Sequence, residues 1–157
     1  MSHWTNIQTQ IKDIAALDAA VKELGLALVK NATARGYASN QLKGDYVIRL
    51  KGPYDIAVNL NKQGFKSDVT HGGVVAELGF SAKRAVAGAY SLSTDWFNPT
   101  EGGYENGPVE KVVGKNFGKL LQLYGVHKTM IEARKKGHLV QRKAQKDGSI
   151  KLTIGGV

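Results

Sequence analysis

No cysteine occurs anywhere in the chain. That absence removes disulfides, thiolate metal sites, iron–sulfur ligation and cysteine nucleophiles together, and it fits a reducing compartment. Long apolar runs are missing too. No stretch approaches the roughly 20 residues needed to span a bilayer, so no membrane association through a helix is expected. The opening residues, MSHWTNIQTQIKD, lack the apolar segment of a secretory signal, and a cytoplasmic location is expected. Phosphate loops are absent: VVGKNFG has a Gly-Lys pair without GxxxxGK[ST] spacing, and THGGVVAELG is glycine-rich without GxGxxG. HExxH and GxSxG are also missing, so the four histidines give no metal spacing and the serines no nucleophile elbow. No metal or cofactor is expected.

What remains is a chain of 157 residues with 42% hydrophobic and 22% charged side chains, the size and composition of one globular domain. Its net charge of +9 is unevenly placed. Residues 1–110 carry 11 Lys and Arg against 11 Asp and Glu, whereas residues 111–157 carry 11 against only Glu132 and Asp147. The whole excess lies in the C-terminal part. Such asymmetry points to an anionic partner, nucleic acid or an acidic protein; the alternative is a solvated basic face that aids solubility.

SHWTNIQTQI alternates about Trp4, Ile7 and Ile11 and reads as an N-terminal strand in which Trp4 packs into the core. A helix follows, with Asp13 as N-cap, Ile14, Leu17, Ala20, Val21 and Leu24 at helical spacing, and Gly25 just past its end. LALVKNATARGYAS, DYVIRL and YDIAVNLN are strand material, the last two joined by a Lys51-Gly52-Pro53 turn into an antiparallel hairpin. Residues 64–108 hold eight of the 19 glycines; VVAEL and AVAGAYSL there are each strand or short helix, and NPTEGGYENGP is a loop. Pro108 then opens a second helix running to Gly137, with Val109, Val113, Phe117, Leu120, Tyr124, His127 and Ile131 on one face. Lys111, Lys115 and Lys119 stand four apart on another face. Three glycines weaken this helix, which leaves two expectations: a start displaced toward Asn116, or glycines that allow close packing against the sheet. HLVQRKAQ-KDGS-IKLTI closes the chain as a hairpin about Asp147-Gly148. The predicted fold is α+β: a mainly antiparallel sheet, two principal helices and a C-terminal β-hairpin, in a single domain covering 1–157.

The candidate anion-binding residues are Lys111, Lys115 and Lys119, then Arg134, Lys135 and Lys136, then Arg142, Lys143 and Lys146. Lysine and arginine in this density supply attraction to phosphate or carboxylate. A weaker nucleic-acid signal lies in RGYASN, which begins like the RNP1 motif at Arg35, Gly36, Tyr37 and Ala38 and then departs from it. Arg35 and Tyr37 are its candidates, and a strand-end turn is the alternative.

The run MSH-aromatic-x-x-I-x-T-x-I-x-D, the amphipathic helix ending LG, and then RGY, DYVIRL and YDIA resemble the hypothetical chloroplast reading frame thirty-five family. LYGVHKTMIEARKKG, followed by a strand, DGS and IKL, is similar too. That resemblance covers roughly residues 1–60 and 117–154; the middle and Trp4 depart from it. It implies plastid, cyanobacterial, bacterial or phage relatives of unassigned function, and an accessory role beside an AAA-type ATPase. It implies no catalytic residue. Two classes of function therefore stand. The first is a non-enzymatic binding or adaptor protein whose basic C-terminal region meets an anionic partner, including a virion component if a phage encodes it. The second is a small enzyme with a glycine-rich substrate loop and His71 and Asp95 as acid–base candidates.

Overall fold

The computed structural model describes residues 4–61 and 88–155. Residues 4–11 form β1 (Trp4–Ile11), followed by α1 (Ile14–Glu23), β2 (Ala27–Arg35), β3 (Gln41–Arg49), β4 (Ile56–Leu60) and β5 (Tyr90–Asp95). The C-terminal part holds α2 (Pro108–Val113), a 3₁₀ turn (Lys115–Phe117), α3 (Gly118–Lys135), β6 (Leu139–Ala144) and β7 (Ile150–Gly155). His71 and VVAEL lie outside the described residues, as does the start of AVAGAYSL; its end, Tyr90–Leu92, belongs to β5.

The fold is α+β. Five strands form an antiparallel sheet in the order β1-β5-β4-β3-β2, and β6 and β7 form a separate antiparallel pair. Helical residues pack on one sheet face. There Ile7, Ile48, Ile56, Val58 and Leu92 meet Leu17, Ala20 and Val21 of α1 and Val109, Val113, Phe117 and Leu120 of the second helical region. Alternation along the strands supplies these apolar side chains to one face. A smaller cluster holds Ala34, Val47 and Ala57, with Trp4 partly buried against it. Trp4 belongs to one outer strand yet lies over Gly36, just past the end of the other. A Cβ on Gly36 would come within 2.9 Å of its Cζ2. The sheet thus curls until its two edges approach, and Gly36 is where a side chain would obstruct that closure.

Local chemistry sets the ends of α1. The Asp13 carboxylate accepts the Ala16 N–H. At the other end the Gly25 and Leu26 N–H groups donate to the Lys22 and Val21 carbonyls around a φ of 75° at Gly25, a Schellman closure. The same motif at Gly137 closes α3, with His138 N–H on the Ala133 carbonyl.

The single second helix expected from the sequence is broken. Gly114, Asn116 and Phe117 all take positive φ, at 81°, 53° and 63°. The turn folds so tightly that a Cβ on Gly114 would lie 2.8 Å from the Lys119 nitrogen. The break drives Phe117 fully into the core, where its ring lies 4.8 Å from that of Trp96. Burying that ring beside Trp96 offsets strain of roughly 1–3 kcal/mol at each of Asn116 and Phe117.

Candidate functional site

Lys111 sits on α2, Lys115 in the 3₁₀ turn and Lys119 in the first turn of α3. All three are exposed and none forms an ion pair among the described residues. Because the helix breaks between them, their four-residue spacing does not make the continuous helical row that the sequence suggests. They ring a kink instead. Arg134, Lys135 and Lys136 are exposed at the C-terminal end of α3, where the helix dipole favours positive charge. Lys128, nearly two turns earlier, is committed internally, bridging Glu132 at 2.7 Å and Asp13 at 3.4 Å.

The hairpin divides its cations between two faces. Its register pairs Arg142 with Leu152 and Lys143 with Lys151. Side chains on successive residues point oppositely, so Arg142 shares a face with Val140, Ile150 and Leu152, toward the helices. There its Nη1 and Nη2 donate to Glu23 Oε1 and Oε2 at 2.6 and 2.7 Å. His127 Nε2 lies 2.8 Å from the same Oε1. Glu23 is pulled down to about 2, first by the Arg142 hydrogen bonds, with partial burial opposing and His127 adding to the pull. Arg142 therefore pins the hairpin to α1, and His127 ties the same carboxylate to α3. The Arg142 charge is already matched. On the outward face Lys143 and Lys151 stand directly opposite each other, and Lys146 follows in the turn. The one acid nearby in sequence, Asp147, accepts from the Ser149 N–H and hydroxyl. Between α3 and the end of β7 runs a groove of about 270 Å³ whose walls include Thr129, Ala133, Lys136, His138 and Ile154.

Arg35 is also engaged internally. Its Nε and Nη2 donate to the two Asp55 oxygens, each at 2.8 Å, and Nη2 also reaches the Leu50 and Gly52 carbonyls. Arg49 adds a third cationic contact to Asp55, which is fully buried. Burial alone would raise the Asp55 carboxyl. Hydrogen bonds from Arg35, Arg49 and the Arg35 and Leu50 amides outweigh it and hold the group below the usual range.

Tyr37 and Asp95, read separately in the sequence, come together. Asp95 is completely buried; its Oδ2 accepts the Tyr37 N–H and its Oδ1 the Phe97 N–H, both at 3.0 Å. Both oxygens thus hold loop backbone. The Tyr37 ring packs edge-on against Phe97 at 4.6 Å, and the Tyr104 ring lies edge-on to Phe97 at 6.0 Å. Neither this trio nor the Glu23–His127–Arg142 cluster was found from sequence. Phe97 and Tyr104 are near neighbours in the chain, but Tyr37 lies 60 residues from Phe97 and Glu23 more than a hundred from His127 and Arg142, and no local pattern announces those meetings.

Among the described residues no group of His, Asp and Glu side chains could hold a metal ion, and no helix is long and apolar enough to cross a membrane. A family model described as "Protein of unknown function (DUF1257)" matches residues 20–153. The chain belongs to that family. The match includes the end of α1, β2 to β5, the second helical region and most of the terminal hairpin, so the exposed C-terminal cations of the DUF1257 protein lie within the shared domain. A comparison with curated proteins and another with solved structures found no match.

Proposed function

We propose that this DUF1257 protein is a non-enzymatic binding or adaptor protein that meets an anionic macromolecule, nucleic acid or an acidic protein, through its basic C-terminal surface. The observation that carries the reading is the Lys143–Lys151 cross-strand pair. Like charges directly opposite on a sheet face destabilise it, and Lys146 in the adjoining turn adds to the repulsion. An anion placed between them removes that penalty and gains two or three cationic contacts. Lys111, Lys115, Lys119 and Arg134 extend the supply of cations that form no ion pair among the described residues; Lys135 and Lys136 share the field of Glu132. Arg142, Arg35 and Lys128 contribute through structure rather than contact.

The resemblance to the hypothetical chloroplast reading frame thirty-five family makes an AAA-type ATPase a named candidate among acidic partners. Cytoplasm, plastid stroma or a virion are the settings that resemblance supports. Fluorescence anisotropy with labelled duplex DNA, single-stranded RNA and polyglutamate, each titrated with salt, tests the reading. Binding that weakens as salt rises supports it, with a slope of about 0.9 log units per duplex phosphate contact. No binding of any polyanion at low salt sinks it.

A further inference from the structure

We propose that the acidic, aromatic loop formed by residues 96–107 docks the basic hairpin of a second copy of this chain. The inference rests on the reading of the hairpin as an anion-binding surface, and it names one partner for that surface. Three rings stand together at the loop: Tyr37, Phe97 and Tyr104, with Tyr37 39% and Tyr104 42% exposed. Exposed aromatic surface of this kind contributes little to the core and much to interfaces, where tyrosine is enriched.

The loop is ordered by its own bonds. Asp95 clamps the Tyr37 and Phe97 amides from beneath. Asn98, 3% exposed, accepts the Thr100 and Glu101 N–H groups and donates to the Glu105 and Asn106 carbonyls. Glu110 accepts the Asn106 N–H. Folding has therefore already met the cost of ordering these rings, which a docking partner would otherwise have to offset.

Charge decides what the rings receive. Glu101 and Glu105 are exposed and form no ion pair among the described residues. Ring faces are negative as well and attract lysine or arginine placed over them. Phosphate is repelled from such a surface, whereas a cationic side chain is drawn both to the carboxylates and to the rings. The same molecule carries a match on its hairpin: Lys143, Lys146 and Lys151, exposed and without ion pairs among the described residues. Loop and hairpin are different surfaces, so two copies either pair loop to hairpin twice about a two-fold axis or join head-to-tail, each added copy then leaving one of each surface open.

Sedimentation of the intact chain tests this. At about 0.05 M salt the weight-average mass should rise with protein concentration, and at about 0.5 M, where screening shortens to about 4 Å, it should fall back to that of one chain. Glu101→Lys with Glu105→Lys should abolish the association, as should Lys143→Glu with Lys146→Glu and Lys151→Glu. Mixing the two variants restores opposite charge and should restore growth. Tyr104→Ala should weaken association by about fivefold or more, with the circular dichroism of each variant confirming that it folds. A wild-type chain that stays monomeric at low salt overturns the inference. So does association that Glu101→Lys with Glu105→Lys leaves unchanged. If the monomeric chain still binds polyglutamate or DNA, only this inference falls; if it binds neither, the proposed function falls with it. A labelled arginine-rich peptide that binds the monomer and loses affinity in Tyr104→Ala replaces the second copy with a foreign cationic partner.

Discussion

Asp55 and Glu23 are two carboxylates held by arginine in different surroundings, and their replacement should cost different amounts. Asp55 is fully buried and its oxygens accept from Arg35, Arg49 and the Arg35 and Leu50 amides. Asp55→Ala leaves those amides without acceptors and should destabilise the fold by about 2–4 kcal/mol. Arg35→Ala, whose side chain is about half exposed, should cost less, about 1 kcal/mol. Urea denaturation of both variants checks the order, and equal losses would refute it. Glu23 makes a prediction in pH. Its folded value of about 2 lies below its ordinary 4.5, so the contribution is complete above about 4.5 and is lost as pH falls through about 2. Glu23→Gln should be less stable than the parent at neutral pH, and the gap should close as pH falls toward 2. Denaturation midpoints at several pH values read this directly; a gap that stays constant would refute the linkage.

Among the elements, the break between α2 and α3 gives the sharpest test, because helix and kink predict opposite signs for one substitution. Inside a helix, Gly114→Ala would stabilise by about 1 kcal/mol. With φ at 81° and Lys119 backbone 2.8 Å from the added Cβ, it should instead destabilise, by about 1–3 kcal/mol. Thermal melts decide between them. The contrast marks which elements are legible in sequence. α1 is readable because Asp13 and Gly25 act on their own neighbours, and the terminal hairpin because Asp147-Gly148 marks its turn, though not its register. The kink is not, because Asn116 and Phe117 adopt left-handed backbone for the sake of a ring buried beside Trp96, a gain that no local window contains. The candidate surface falls on the unreadable side of that division. A two-residue turn at Asp147-Gly148 would pair Lys143 with Leu152; the turn instead closes between Gln145 and Ser149 and sets Lys143 opposite Lys151, and the bond between Arg142 and Glu23 joins residues 119 apart in sequence.

Across the whole molecule, charge is segregated: the excess of +9 belongs to the C-terminal part. The apolar core is shared between both parts of the sequence, since Phe117, Leu120 and Val113 pack with Ile7, Ile48 and Leu92. Surface charge and core can therefore be changed separately. Replacing Lys111, Lys115 and Lys119 by glutamate takes the net charge from +9 to +3 and touches no ion pair among the described residues. The fold should survive, because exposed substitutions cost about 0.5 kcal/mol or less each. Any polyanion binding should weaken, and its salt dependence should flatten by about 0.9 log units for each lost duplex contact. Phe117→Ala is the opposite experiment. It leaves the charge untouched and should destabilise by about 3–5 kcal/mol through loss of a fully buried ring. Chemical denaturation and anisotropy on the same two variants separate the effects. Loss of folding in the triple glutamate variant would mean that the lysines around the kink serve the core, and the anionic partner would then have to be sought at the hairpin alone.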